Sequence, residues 1–157
     1  MKRLYVITQQ LEHGMPLYRG PGYLSNGHWL MRWSAAAQPI LAPLKPSKLT
    51  IARLLRSASG KKLRRIRVRR TGERYRWPQS PKPDGDLHAS RCYASPSGRL
   101  EVWLSTYYLE ALGLSDTLYA IDAHTAVTDR AKGWRVALMP MRAPLKGERS
   151  RKRGRRC

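Results

Sequence analysis

Apolar and polar residues alternate along several short stretches of this chain, most clearly in Gly133–Arg142 (GWRVALMPMR). There, Trp134, Val136 and Leu138 share one face of a predicted strand, because side chains two residues apart point the same way. Pro140 ends the ladder pairing. It lies between two methionines, whose flexible thioether side chains are common both as core filler and in adaptable binding surfaces.

A hairpin is predicted near the amino terminus. Asn-Gly at positions 26 and 27 lies between Tyr23–Leu24 and His28–Trp33, and this dipeptide between apolar runs is typical of a tight turn. A further strand is predicted at Lys2–Ile7. Two stretches are rich in proline or glycine: Leu11–Gly22 is predicted to be a loop, and Ala35–Pro46 is predicted to be a loop or an extended connector.

Two helices are predicted. Ser47 can cap a helix over Lys48–Ala58, whose apolar residues have the i, i+3, i+4, i+7 spacing of one buried face: Ile51, Leu54, Leu55 and Ala58. A shorter helix is predicted over Tyr107–Leu112, with Ser105 or Thr106 as its cap and Gly113 at its end.

The remaining alternations predict short strands. In Arg64–Arg70, Ile66 and Val68 point one way and three arginines point the other way. Tyr75 and Trp77 are predicted to lie in a partner strand. Later strands are predicted at Leu100–Leu104, Leu118–Ile121 and Thr125–Thr128.

The order of these elements predicts an α+β fold in which sheets pack on two short helices. Each half has the order strand, short helix, strands. The predicted domain covers residues 1–142, with halves at about 1–78 and 88–142 and a linker of turn-forming residues at 79–87. Residues 143–157 are predicted to form a basic, disordered tail.

The net charge of +21 on 157 residues is the strongest constraint on function. A compact domain with this charge repels itself unless an anionic partner screens it, which favours nucleic acid over an anionic membrane surface. No apolar run reaches the roughly 20 residues that span a bilayer, and Met1–Ile7 lacks the layout of a signal peptide. We therefore expect a cytoplasmic protein with no membrane partner, in which Cys92 and Cys157 are free thiols.

Catalytic and metal-binding patterns are absent from the sequence. The four histidines are scattered, and no phosphate loop, nucleophile elbow or paired-carboxylate motif is present. A Ser/His/Asp arrangement is the one catalytic alternative that the sequence leaves open. We therefore expect a protein that is not an enzyme and that uses no metal and no cofactor.

The segment Lys45–Arg76 contains thirteen Lys or Arg residues and one acid, Glu73. Next-but-one arginines on a strand are about 6.6 Å apart, close to the spacing of phosphates along a nucleic-acid strand. Phosphate contact combined with aromatic stacking is a general route to nucleic-acid binding, with a solvated charged face as the alternative. The predicted nucleic-acid-binding residues are Lys48, Arg53, Arg56, Lys61, Lys62, Arg64, Arg65, Arg67, Arg69, Arg70, Arg74, Arg76 and Trp77.

Two segments resemble parts of the bacterial sliding clamps, the DNA polymerase III beta subunits. Val136–Arg142 (VALMPMR) is similar to the Val-x-Met-Pro-Met-Arg-Leu ending of that family, and Ser25–Leu30 (SNGHWL) to its Thr-Asp-Gly-His-Arg-Leu segment. In the family these segments wall a hydrophobic pocket for short peptide motifs. The resemblance implies peptide-binding residues at Ser25, Gly27, His28, Leu30, Val136, Leu138, Met139, Pro140, Met141 and Arg142. The alternative is that these residues only fill the seam between the two halves.

The segments between these two are also similar in order. Ala42–Lys45 resembles the stretch that comes after the histidine segment in clamps, and Ser105–Leu112 resembles the last clamp helix. The resemblance therefore implies a DNA-clamp-like domain, and in clamps the helices line the hole that encloses DNA while the sheets face outward. Clamps are acidic and have three such domains per chain, whereas this chain is basic and has the length of one domain, so a ring of the same kind needs about six copies.

Two functions are predicted. The first is a nucleic-acid-binding, sliding-clamp-like accessory protein of DNA replication with a hydrophobic peptide pocket. DNA is favoured over RNA as its ligand, and its protein partners are further copies of itself or a larger complex. The alternative is a basic structural subunit of a ribonucleoprotein or nucleic-acid-guided complex, which the arginine strand and the basic tail favour.

Overall fold

The computed structural model describes residues 17–20, 22–33, 45–46, 48–59, 64–76 and 89–145. Four predicted features lie outside the described residues: the strand at Lys2–Ile7, the cap at Ser47, the linker 79–87 and the tail from residue 146 onward.

The described residues form ten strands and two helices. In chain order they are β1 Tyr18–Gly20, β2 Tyr23–Ser25, β3 Trp29–Arg32, β4 Lys45–Pro46, α1 Lys48–Ser59, β5 Ile66–Arg76, β6 Ala89–Ala94, β7 Glu101–Ser105, α2 Thr106–Ala111, β8 Thr117–Ala120, β9 Val127–Thr128 and β10 Val136–Leu138. The fold is therefore mixed, a largely antiparallel sheet with two short helices, in agreement with the α+β prediction.

All ten strands belong to one sheet, in the order β4-β1-β2-β3-β10-β9-β8-β5-β6-β7. The pairing of β1 with β4 is parallel, and the other pairings are antiparallel. The prediction of more than one sheet packed on the helices is wrong, because the two halves share this single sheet. They merge because β10, from the end of the chain, pairs with β3, from its beginning.

The sheet also curls back on itself. Met141, just after β10, forms an antiparallel bridge with Trp103 of β7, and the Met141 amide donates to the Trp103 carbonyl at 2.7 Å. This single bridge brings the segment that follows β10 back to the outer edge of β7, so that edge is partly covered.

One face of the sheet is defined by a row of cross-strand partners. Partners that lie directly opposite each other point to the same side, and the row is Leu30, Ala137, Thr128, Tyr119 and Arg67. Helix α1 packs on one part of this face through Leu54 and Ala58, both 1% exposed. We call it the α1 face.

The opposite face holds the main core. Its buried side chains include Trp29, Val68, Val102, Leu104, Leu118, Val136 and Leu138. Helix α2 packs there through Tyr108, Leu109 and Leu112, and we call this side the α2 face. The two helices thus lie on opposite faces of the sheet, since each strand sends alternate side chains to α1 and to α2.

The predicted hairpin is confirmed, and Asn26 explains its geometry. The Asn26 Oδ1 accepts from the amides of His28, at 2.9 Å, and Trp29, at 3.2 Å, while its Nδ2 donates to the Tyr108 hydroxyl at 3.0 Å. Gly27 has φ +94°, a conformation that favours glycine. One side chain therefore both shapes the turn and ties it to α2.

Both helix predictions are confirmed, and α1 ends one residue beyond its predicted end. The Ser105 Oγ accepts from the Tyr108 amide and caps α2. Gly113, with φ +61°, follows the helix in the left-handed conformation expected of a carboxyl-terminal glycine.

Strand β5 corrects one prediction. The chain continues as a single strand from Ile66 to Arg76, so Tyr75 is not in a separate partner strand. A register shift between Arg70 and Arg74 accommodates Gly72 without ending the pairing with β6. The actual partner, β6, has no clear alternation and was not predicted.

Two other predictions are also wrong in detail. Tyr18–Gly20, within the predicted loop, forms β1 because it pairs with β2. Trp134 does not share a face with Val136 and Leu138, because β10 starts only at Val136. Instead, Trp134 packs with Leu30 and Ala137 under α1.

Candidate nucleic-acid interface

The predicted basic residues separate into groups that sequence alone did not distinguish. Arg53 and Arg56 are exposed on α1, and Arg67 and Arg69 are exposed on the α1 face of β5. Arg64 is exposed just before that strand. These five arginines have no carboxylate partner among the described residues. Lys48 begins α1, and Lys61, Lys62 and Trp77 lie outside the described residues.

Arg65 has a structural role that the sequence did not predict. Its guanidinium donates to the Ala58 carbonyl in the last turn of α1 and, at 3.3 Å, to the Ala126 carbonyl before β9. Partial burial lowers the pKa of Arg65. A cation at a helix carboxyl terminus is favourable because unpaired carbonyls gather there, so Arg65 fastens α1 to the sheet.

The arginines on the other side of β5 face a different environment. Arg74 is in register with Arg91, whose guanidinium donates to Glu110 of α2 at 3.1 Å. The Arg74 side chain therefore lies on the α2 face. Arg70 donates to Asp116 at 2.7 Å, and this hydrogen bond raises the pKa of Arg70. Arg76 is exposed on the same side. Carboxylates therefore neutralise part of the charge on the α2 face.

Two of the other acids are used in local turns. The Asp122 carboxylate accepts from the amides of His124 and Thr125. Burial raises the pKa of Asp122, but these hydrogen bonds lower it by more, so the pKa is lowered on balance. The Asp129 carboxylate accepts from the amides of Arg135 and Val136. Neither one neutralises the exposed arginines of α1 and β5.

A cleft of about 1020 Å³ opens at the carboxyl end of α1. Its cationic lining comes from Arg64, Arg65, Arg67 and Lys132, and its uncharged lining includes Ile66, Pro96, Tyr119 and Trp134. Ile66 is 43% exposed, which is unusual for a large apolar side chain on this molecule. Lys132 and Tyr119 were not among the predicted binding residues. Tyr119 could not be found from the sequence because only the pairing of β8 with β5 brings it beside Arg67.

The side of this cleft is fixed by packing around Trp134. The Arg32 guanidinium lies over the Trp134 ring, 4.6 Å from its centroid, and the Tyr23 ring lies 6.2 Å away. A cation above an aromatic face is attracted by the ring quadrupole. Trp134 is therefore part of a rigid wall, and the exposed Arg32 packs over its ring.

The two clamp-like segments are neighbours in the structure. Leu138 is in register with Trp29, and the Met139 amide donates to the His28 carbonyl at 2.8 Å. The expected proximity of the hairpin and the Met-Pro-Met segment is thus confirmed. The ring of His28 also stacks on Tyr108, with centroids 5.8 Å apart.

The candidate peptide-binding residues differ in accessibility. Ser25, Leu30, Val136 and Leu138 are at most 1% exposed and belong to the interior. Gly27, Met139, Pro140 and Met141 are half-buried, and His28 and Arg142 are exposed. The accessible members form a small surface where β10 leaves the sheet. Peptide binding at this surface stays a prediction.

Other kinds of site receive no support from the described part of the chain. It contains no group of three His, Cys, Asp or Glu side chains that could hold a metal ion. Within it, neither helix is long and apolar enough to cross a membrane. Comparison with protein-family models, with curated proteins and with solved structures finds no match to this chain.

Proposed function

We propose that this chain is a nucleic-acid-binding accessory protein that contacts the phosphate backbone through α1 and the neighbouring part of β5. The observation that carries the proposal is a group of exposed arginines on α1 and the α1 face of β5 that have no carboxylate partner among the described residues: Arg53, Arg56, Arg67 and Arg69. On the α2 face, Arg70 and Arg91 are paired with acids, and Arg74 and Arg76 are exposed.

Polyanion binding by such a surface has a clear driving force. Each arginine that contacts a phosphate releases condensed counterions from the nucleic acid, so affinity falls steeply as salt concentration rises. A guanidinium is also always charged and can bind phosphate with two hydrogen bonds. Arg67 and Arg69, about 6.6 Å apart along their strand, suit successive phosphates of one strand.

The experiment is a salt series of binding measurements with short single-stranded and duplex oligonucleotides. Replacing three α1-side arginines together (Arg53→Gln, Arg56→Gln, Arg69→Gln) should reduce the slope of log affinity against log salt by about 2 to 3. The control replaces two exposed arginines on the α2 face, Arg74→Gln and Arg76→Gln. An equal loss of slope per replaced arginine in the two variants would show that the charge acts without a defined face.

In its more specific form, the proposal is a sliding-clamp-like role. It is supported by the contact between Met139 and His28, which joins the two segments that resemble the clamp peptide pocket. Because α1 and α2 lie on opposite faces of the sheet, a ring of copies could present only one of them to the hole, unlike clamps, whose helices line it together. Helix α1, with Arg53 and Arg56, is the one that this proposal places toward DNA. Such a ring predicts a defined oligomer that stays on nicked circular DNA at high salt and is lost once the circle is cut.

The second candidate is a structural subunit of a ribonucleoprotein or nucleic-acid-guided complex. The specific observation in its favour is that the unpaired arginines continue from α1 onto the open part of the sheet at Arg67 and Arg69. Light scattering separates the two candidates. A monomer both free and bound, released equally from circular and linear DNA, fits the subunit and excludes the ring.

A further inference from the structure

We propose that the cleft at the carboxyl end of α1 binds unpaired nucleotides, so that the protein distinguishes single strands from duplex. This inference rests on the proposed nucleic-acid-binding function. It assigns unpaired nucleotides to one part of the basic surface, because contacts to phosphates alone do not distinguish a single strand from a duplex. The cleft differs from the rest of the basic surface because it is concave and mixes cations with apolar and aromatic side chains.

The dimensions of the cleft suit a few nucleotides. Its volume of about 1020 Å³ lies at the upper end of the range of small-ligand sites. A base still stacked and paired within a duplex exposes only its edges, so a duplex can offer the cleft phosphates but not base faces. A single strand can place both its backbone and its bases there.

The lining provides partners for both parts of a nucleotide. Arg64, Arg67 and Lys132 are exposed cations at the rim, without carboxylate partners among the described residues. Tyr119 is half-buried and directly in register with Arg67 on the same face, and Pro96 adds apolar lining beside them. Aromatic stacking tolerates any base, so this combination selects for strand state and not for sequence.

The wall of the cleft is held in place without ligand. Arg65 ties the end of α1 to the carbonyl of Ala126, and Trp134 is buried beneath Arg32 and beside Tyr23. A preformed site loses less conformational entropy on binding than a site that must be ordered by its ligand. Arg65 and Trp134 therefore shape the cleft, and Tyr119, Arg67, Arg64 and Lys132 contact the strand.

Fluorescence anisotropy with matched single-stranded DNA, single-stranded RNA and duplex DNA tests the inference. Tyr119→Leu should weaken single-strand affinity about ten-fold, the effect of losing one stacked base, and leave duplex affinity within about two-fold. Tyr119→Phe keeps the ring and should retain single-strand affinity. Tyr107→Leu, which removes a half-buried ring on α2, on the opposite face of the sheet, is the matched control and should change neither affinity. Comparison of the affinities for single-stranded DNA and single-stranded RNA shows which of the two is preferred.

The outcomes separate this inference from the proposed function. If no nucleic acid binds, the proposed function fails. If single strands and duplex bind and Tyr119→Leu affects both equally or neither, the function stands and the cleft is not a single-strand site. Photocrosslinking of wild-type protein to a bromouracil-substituted single strand gives a test that no variant can confound. Crosslinks should map to 64–67, Tyr119 or 131–134, and crosslinks confined to other segments would overturn the inference.

Discussion

Arg65 and Arg67 are two residues apart in the same basic segment, yet the structure gives them different roles. The Arg65 guanidinium is satisfied by two main-chain carbonyls, whereas Arg67 is exposed. Hydrogen bonds from charged donors are worth about 1.5–3 kcal/mol. Arg65→Gln should therefore lower the free energy of unfolding by about 2 kcal/mol, measured by urea denaturation.

Arg67→Gln provides the matched control for that measurement. Because Arg67 has no partner among the described residues, its replacement should change stability by less than about 0.5 kcal/mol and should instead weaken nucleic-acid binding. Arg65→Gln should lower the free energy of unfolding, and in the folded variant it should weaken nucleic-acid binding less than Arg67→Gln does, because the Arg65 guanidinium is engaged by main-chain carbonyls. A variant Arg65→Gln of unchanged stability would contradict the assignment of Arg65 to the α1 terminus.

Sequence reasoning succeeded at residues whose role is local. Asn26 and Gly27 form the predicted turn because the two amides bound by the Asn26 side chain lie within three residues of it. It failed at Arg65, where the partner carbonyl of Ala126 is 61 residues away. The alternation of apolar residues and arginines predicted which side of the strand the Arg65 side chain is on, but not the carbonyls to which it donates.

The same distinction holds for whole elements. Helix α1 was predictable because its apolar spacing and length are properties of twelve consecutive residues. Strand β6 was not, since Ser90 and Cys92 on one face and Arg91 and Tyr93 on the other give no contrast between apolar and polar sides. It is a strand because β5 and β7 pair with it on both edges. Tertiary pairing decides strand formation more than local sequence preference does.

The docking of α1 gives a prediction with an adjacent control. Leu54 is 1% exposed and packs into the cluster with Leu30, Trp134 and Ala137, while Leu55 is only half-buried at its edge. Leu54→Ala should lower the free energy of unfolding by about 2–5 kcal/mol, because a cavity adds to the lost burial. Leu55→Ala removes the same atoms and should cost clearly less. Equal costs in thermal or urea unfolding would contradict the orientation given for α1.

At the scale of the molecule, the α+β class could be predicted from the sequence, but the single sheet that both halves share, and its curling, could not. The pattern of strands and helices predicted an α+β domain. The bridge between Trp103 and Met141 joins residues that no periodic pattern relates. The resemblance to clamps did anticipate the contact between the hairpin and the Met-Pro-Met segment, because it related two segments by their place in a shared pocket.

The net charge of +21 should give folding and binding opposite responses to salt. Repulsion among like charges destabilises the compact state, and salt screens it over a Debye length of about 10 Å at 0.1 M. Melting temperature should therefore rise with potassium chloride, while affinity for nucleic acid falls over the same range, because counterion release becomes less favourable. Differential scanning fluorimetry and anisotropy in one buffer series measure both. A melting temperature that falls with salt would show instead that ion pairs such as Arg70–Asp116 outweigh the repulsion.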